Sequence, residues 1–242
     1  MNKLHIPPLD EQAAKTALEH QKILAKPPLA LGKLEPVAIQ IAAMTGNPAP
    51  RLKDKAVVLF AADHHIADHG LSLTSTDVTY IQTRNFLQGG GTINAFTRNA
   101  GARLSVVDVG VNYDFGDLPG LVKRKVMHGA SDFSRGPAMT REQALECLQV
   151  GIDMAREEKA RGLDIVAAGE MGIGNTTPSS AIVAVLTGTP VETVTGRGSG
   201  VKGEVIRKKI ELIEQGISLN KPDPSDAIDV LAKVGGPEPW PG

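Results

Sequence analysis

The stretch Leu163-Asp164-Ile165-Val166-Ala167-Ala168-Gly169-Glu170-Met171-Gly172-Ile173-Gly174-Asn175-Thr176-Thr177-Pro178-Ser179-Ser180-Ala181-Ile182-Val183-Ala184-Val185-Leu186-Thr187 reads as a strand, a glycine-rich loop and a helix in succession. Residues 164–168 predict a buried strand. Thr176-Thr177-Pro178 predicts a helix start, with threonine as the cap and proline at the first helical position. Between them, Gly169 to Asn175 forms a loop whose backbone N–H groups can approach an anion, and the helix N-terminus adds positive potential. A phosphate is the default ligand. A tight turn that needs glycine only for its backbone geometry is the competing reading. The loop has neither the Gly-Lys-Ser/Thr ending of a P-loop nor the three-glycine dinucleotide spacing. Glu170 is informative, because a carboxylate in a loop built for an anion is unfavourable unless it serves a positive group or the chemistry.

Working outward, Ala56 to Ala62 is a continuous apolar run suited to a parallel strand covered on both faces. Leu104 to Val109 and Val122 to Val126 predict further strands. Helices are predicted over 77–87 and 92–99, separated by Gln88-Gly89-Gly90-Gly91. Thr140 with Gln143 forms a capping box that opens a long helix, with Leu145, Leu148, Ile152 and Ala155 as its apolar stripe. A helix over 204–219 is expected to bury Ile206, Ile210, Ile213 and Ile217. Ser225 is expected to cap a last helix through Val234. The alternation argues an α/β fold with a doubly wound, Rossmann-like parallel sheet. Helices over 10–24 and 34–44 precede any strand, the second with Leu34, Val37, Ala38 and Ile41 on one face. They predict a small N-terminal helical subdomain (1–48) ahead of the α/β domain (49–242).

Composition narrows the function classes. Net charge is −1 across 242 residues, so no general attraction to polyanions is implied. Aromatic residues make up only 3%, which argues against a base-stacking surface for nucleic acid. The single cysteine, Cys147, excludes an internal disulfide and a cysteine zinc cage, and its neighbours place it in a helix core. No apolar run is long enough to span a membrane and the first residues are not a signal peptide, so a cytoplasmic protein is expected.

Asp63-His64-His65-Ile66-Ala67-Asp68-His69 follows the first strand, where ligands bind in open α/β sheets. It resembles the Asp-His-His signature of a metal-dependent phosphoesterase family, but the upstream aspartate motif of that family is missing, and a polar loop is the simpler reading. Thr74 and Gln82 span a helix start, and their spacing favours a cap region with Thr76 as the cap and Gln82 as a solvated helix residue. Thr195-Gly196-Arg197-Gly198-Ser199-Gly200 is a second glycine-rich loop. Its Arg197 suits either a bidentate contact to phosphate or carboxylate or a solvated surface turn.

Gly169 to Pro178 closely resembles the signature of the nicotinate-nucleotide–dimethylbenzimidazole phosphoribosyltransferases. Lys26-Pro27-Pro28, Leu31-Gly32-Lys33-Leu34-Glu35, Phe60-Ala61-Ala62-Asp63-His64, Val107-Asp108-Val109-Gly110-Val111, Gly136-Pro137-Ala138-Met139-Thr140 and Asp229 to Gly236 are also similar to that family's blocks. The resemblance covers residues 5–236. It implies transfer of 5-phosphoribose from nicotinate mononucleotide to 5,6-dimethylbenzimidazole, with no metal or other cofactor, in a homodimer that engages neither nucleic acid nor membrane. It further implies that Gly172, Ile173, Gly174, Asn175 and Thr176 hold the phosphate, that Thr74 and Gln82 face the benzimidazole, and that Glu170 supports catalysis near the ribose and base. Arg197 and Gly198 of the second loop complete the expected substrate-binding set. The chain departs from the family at His65, where a glycine is usual, and at Leu29-Ala30, where Gly-Ser is usual. It also lacks the C-terminal Gly-Glu-Gly motif whose glutamate is the family's general base. Neither Glu238 nor the tail around it matches that motif, so the role is not carried to it. The expectation is an α/β fold incomplete at its C-terminus, with weakened activity or, alternatively, a non-catalytic relative that binds the nucleotide or benzimidazole or pairs with a full-length subunit.

Overall fold

The computed structural model describes residues 6–238. The first five residues and the tail Pro239-Trp240-Pro241-Gly242, both read above, lie outside the described residues. The chain divides into two compact units, Met1–Lys53 and Asp54–Gly242.

The first unit holds helices α1 (Glu11–Ile23) and α2 (Leu34–Thr45). Asp10 caps α1, its carboxylate accepting from the Ala13 amide at 2.8 Å. The face predicted for α2 is not the one it buries. Glu35, Ala42 and Ala43 are buried, whereas Leu34 and Val37 are exposed. Glu35 turns inward because its carboxylate meets Lys26 at 2.7 Å and accepts from the Leu31 amide at 3.1 Å. These partners satisfy a charge that burial would otherwise penalise.

The second unit carries four parallel strands in the order β3-β2-β1-β4: β1 (Lys55–Ala62), β2 (Ala102–Gly110), β3 (Leu121–Lys123) and β4 (Ile165–Met171). Helices α3 (Val78–Leu87) and α4 (Thr92–Ala100) supply Tyr80, Phe86, Leu87 and Ile93 to the face formed by Leu59, Ala61 and Val106. Helix α5 (Arg141–Ala160) covers the opposite face, where Cys147, Val150 and Met154 pack on Val58, Phe60, Val107 and Val109. The Rossmann-like parallel sheet expected from the alternation is therefore present, with helices on both faces. Helices α6 (Thr176–Thr187), α7 (Val191–Val194), α8 (Glu204–Asn220) and α9 (Ala227–Val234) follow β4. Residues from α6, α8 and α9 build a further core around Phe133.

Several local expectations need correction. β4 extends to Met171, so Gly169 and Glu170 belong to the strand rather than the loop. It is also not buried: it forms the edge of the sheet, with Ile165 and Val166 exposed at 43% and 46%. The cap of α6 is Asn175, whose side chain makes no capping hydrogen bond to the helix, and Pro178 falls at the third helical position. That position is tolerated because the first four N–H groups of a helix lack intrahelical acceptors. At α3, Asp77 stands at the cap position rather than Thr76, again without a side-chain hydrogen bond. Asp226, not Ser225, caps α9, accepting from the Ile228 and Asp229 amides at 3.0 and 3.1 Å.

Two helices bury faces rotated from those predicted. α5 buries Ala144, Cys147, Val150, Met154 and Glu158, the last because Ser105 and Arg103 donate to it at 2.8 and 3.1 Å. α8 buries Lys209, Leu212, Ile213 and Gly216, leaving Ile206, Ile210 and Ile217 half-buried. Apolar content alone locates a stripe only to within about one residue; the neighbouring surface selects the final face.

The capping box of α5 is formed as read, with the Gln143 amide donating to Thr140 Oγ1 at 3.2 Å and the Thr140 amide donating to Gln143 Oε1 at 2.9 Å. Thr140→Ala is expected to lower unfolding free energy by about 0.5–2 kcal/mol, with an unchanged urea m-value. Equal urea midpoints for the two proteins would show that the box contributes nothing.

Candidate active site

The parallel register sets Phe60 of β1 beside Glu170 of β4. The residues that follow β1 therefore emerge at the same end of the sheet as Glu170, the end where open α/β folds bind ligands. A cleft of about 230 Å³ lies there, lined by His64, Glu170, Asn175, Thr176, Pro178, Ser179, Ile182, Leu231, Gly236 and Glu238. Its wall combines three titratable groups, the first turn of α6 and an apolar side.

His64 is buried, and its Nε2 stands 2.9 Å from Glu238 Oε1. Burial opposes a positive charge on this imidazole, but Glu238, Asp63 and Glu170 together outweigh it and hold the group above its ordinary value. Among the described residues, Nδ1 of His64 has no hydrogen-bond partner. Glu170 is open to solvent on its outer side and accepts from the Asn175 side-chain amide. The protein crowding its inner side raises its proton affinity, and the charge of Glu238 raises it further.

A second constellation adjoins the cleft through Thr176. Lys209 of α8 is 1% exposed and donates to Thr176 Oγ1 at 2.8 Å and to the Gly196 carbonyl at 3.2 Å. Among the described residues no carboxylate forms an ion pair with it, and burial pushes its ammonium down to about 8. An uncompensated cation beside the N-terminus of a helix is an environment awaiting an anion. Gly198 lets the second glycine-rich loop approach. A Cβ there would stand 2.8 Å from Thr176 Oγ1 and 3.8 Å from Lys209 Nζ.

The residues expected from sequence divide accordingly. Glu170, Asn175 and Thr176 line the cleft. Gly172 lies behind it, where a Cβ would come within 2.5 Å of the Ala62 carbonyl oxygen. The Ile173 amide donates to Thr79 Oγ1 at 3.1 Å and is thus engaged within the protein. Gly174 has φ +90° and faces Ala67, which a Cβ would approach to 2.5 Å. Gly198 meets the Lys209 constellation, while Arg197 is exposed beside it. Thr74 and Gln82 are not among the residues lining the cleft. Thr74 Oγ1 pairs with Ser72 Oγ at 3.2 Å, and Gln82 Oε1 accepts from Asn85 at 2.9 Å.

The histidine-rich run after β1 disperses. Asp63 accepts from the Asn112 amide at 2.8 Å, His65 pairs with Asp68 at 3.2 Å, and His69 pairs with Asp132 at 2.8 Å. Among the described residues no group of three His, Cys, Asp or Glu side chains is placed to hold a metal ion. Cys147 sits in the core, where burial raises its thiol to about 12.

Sequence reasoning passed over His64 as a cleft residue and Lys209 altogether, and it weighed Glu238 only against the C-terminal motif, not as a cleft residue. Lys209 did leave a signal: it falls three residues after Ile206 and four before Ile213, inside an apolar stripe. Glu238 left none, because only the path of the chain after α9 brings it back to β1.

A family model described as a phosphoribosyltransferase matches residues 6–239. The nicotinate-nucleotide–dimethylbenzimidazole phosphoribosyltransferase of Geobacter sulfurreducens is 50% identical over 231 residues, covering 96% of this chain and 66% of the relative. The protein of the same name from Roseiflexus sp. (strain RS-1) is also 50% identical over 231 residues, covering 96% of this chain and 65% of its own length. The crystal structure of CobT from Thermus thermophilus superposes with a TM-score of 0.89 at 42% identity, covering 94% of this chain and 68% of that one. The chain thus spans about two thirds of the length of the curated relatives it matches.

Proposed function

This chain belongs to the family of nicotinate-nucleotide–dimethylbenzimidazole phosphoribosyltransferases, and from that membership we propose that it moves 5-phosphoribose from nicotinate mononucleotide to 5,6-dimethylbenzimidazole. The observation that carries the reading is Lys209, a buried cation without a carboxylate partner among the described residues, donating to Thr176 at the start of α6 and next to the cleft that holds Glu170.

In the proposed reaction the 5′-phosphate sits against Lys209, Thr176 and the α6 N-terminus, beneath the loop that carries Arg197 and Gly198. This anchors the ribose with C1′ toward Glu170. A benzimidazole nitrogen attacks C1′ from the face opposite the nicotinate. As the new C–N bond forms, the old one breaks and its electron pair passes to the pyridine nitrogen, neutralising the pyridinium. The azolium that results loses its N–H proton, giving α-ribazole 5′-phosphate and nicotinate. The leaving group already carries positive charge, so the protein's task is to hold the partners in line, stabilise the charge that develops on the ribose, and accept a proton. In this reading the Glu170 carboxylate, which lines the cleft, stabilises that ribose charge.

Thr74 and Gln82, outside the cleft lining, contact the benzimidazole in this reading only if the loop before α3 closes over the bound base. The exposed apolar edge of β4 supports self-association, and a dimer is proposed. A cytoplasmic location is proposed with it; among the described residues no helix is long and apolar enough to cross a membrane.

The test is nicotinate release from nicotinate mononucleotide with and without dimethylbenzimidazole, with sedimentation to record the oligomeric state. Release that depends on the added base, with stoichiometric formation of a ribosylated benzimidazole, is expected. Release independent of the base, or none with either substrate, would overturn the proposal.

A further inference from the structure

A second, smaller cavity of about 120 Å³ shares the His64 wall with the cleft. Asp63 lines it from the segment after β1, Thr76, Asp77 and Tyr80 from the start of α3, and Asn112 from the segment after β2. Asp68 and His65 border the same space. Asp63 is 7% exposed, and its Oδ2 accepts from the Asn112 amide at 2.8 Å. Among the described residues its Oδ1 has no hydrogen-bond partner. Burial disfavours the charge on this carboxylate by more than the Asn112 amide, the nearby Thr79 hydroxyl and the two histidines restore.

The acids around this cavity are not balanced from within. Asp68 is paired with His65 at 3.2 Å, but among the described residues Asp63 and Asp77 form no ion pair. Asp77 stands at the cap position of α3 without bonding the helix amides, so its carboxylate has no local task. Thr76, Tyr80 and Asn112 add neutral oxygens. A buried acid with a free oxygen, in one oxygen-lined cavity with a second unpaired acid, is an environment that a cation completes. No three of the acids and histidines converge as a divalent metal centre requires. A monovalent ion needs no such convergence, because potassium exchanges its water shell for neutral oxygens. One water needs only about 10–15 Å³ of such space, so the cavity has room for an ion that keeps several waters.

We propose that this cavity binds a monovalent cation of potassium's size, held by Asp63 and Asp77 with the oxygens of Thr76, Tyr80 and Asn112. The ion ties the start of α3 to the segments that follow β1 and β2. It touches none of the reacting atoms of the proposed transfer, so the site stands or falls independently of that reaction.

The test compares thermal unfolding of the full chain in potassium chloride and in tetramethylammonium chloride of equal ionic strength, the latter cation being too large to be held. Potassium at about 0.1 M is expected to raise Tm by at least about 2 °C, and the rise should saturate. Asp77→Asn removes no capping bond, so its Tm in tetramethylammonium should stay within about 1 °C of wild type while most of the potassium shift is lost. Asp63→Asn should lose the shift as well; if that variant does not fold, Asp77→Asn carries the comparison. A crystal soaked in rubidium chloride should show an anomalous peak between Asp63 and Asp77. Equal melting of the wild type in the two salts, an undiminished shift in Asp77→Asn, or no rubidium peak at that place would overturn the proposal. So would ammonium raising Tm where potassium does not, since the ligand would then be a hydrogen-bond donor and not a coordinated ion. Magnesium matching the shift at far lower concentration would overturn the monovalent assignment.

Discussion

Lys209→Met lowers the affinity for nicotinate mononucleotide by about 10- to 100-fold, because it removes a charge-assisted bond to phosphate of about 1.5–3 kcal/mol. The corresponding riboside, which has no phosphate, binds the two proteins equally. The effect is large because Lys209 is buried and, among the described residues, its ammonium bonds only Thr176 Oγ1 and the Gly196 carbonyl, at 2.8 and 3.2 Å. Stability should move the other way. Methionine fills a similar volume without burying a charge, so the melting temperature of the unliganded variant stays level or rises.

The pH dependence separates this role from a structural one. In the folded protein Lys209 gives up its proton at about 8, against 10.5 for an ordinary lysine. Between those values the unfolded chain binds more protons, so the unliganded protein gains stability as pH rises through that window. Lys209→Met should abolish this gain, and nucleotide binding should weaken above pH ~8 as the cation is lost. Chemical denaturation at a series of pH values, with calorimetry of both ligands, measures all of this. Equal nucleotide affinities for variant and wild type would remove the phosphate site from Lys209. Gly174→Asp is a poorer probe of the anion loop, since φ +90° and the contact with Ala67 make any side chain there disruptive before its charge matters.

Glu170→Gln is expected to reduce kcat by about 100-fold or more, with nucleotide affinity changed by less than about threefold. Its charge would matter chiefly while positive charge develops on the ribose, so the loss falls on kcat rather than on binding. Crowding on its inner side and the charge of Glu238 raise its proton affinity, and the carboxylate must be ionised to act. Wild-type kcat should therefore fall on the acid side at a higher pH than an ordinary carboxylate would impose. Glu170→Gln should lose that part of the profile. The check is a pH–rate series on both proteins under saturating substrates. An unaltered acid limb in the variant would show that the limb belongs to another group.

Much of the fold was legible because each signal was local. The apolar run 56–62, the glycines after β4 and the Thr140–Gln143 box act through neighbours a few residues away. They determined the order of strands and helices, the loop ahead of α6 and, through the resemblance of whole blocks, the family.

What only the tertiary structure decided is whatever depends on which surfaces meet. β4 reads as a buried strand from its apolar residues, yet it lies at the sheet edge, because strand order is a long-range property. The buried faces of α2, α5 and α8 were set by the partners of Glu35, Glu158 and Lys209, polar groups that apolar periodicity does not weigh. Thr74 and Gln82 were assigned by resemblance, but hydrogen bonds to Ser72 and Asn85 occupy them outside the cleft lining. The cleft itself gathers His64, Glu170 and Glu238 from positions separated by more than a hundred residues at the widest, and Lys209 joins through Thr176. A buried cation or a clamped carboxylate acquires chemical meaning from burial and from its partners. Both are created by packing, so neither is written in the spacing of the residues along the chain.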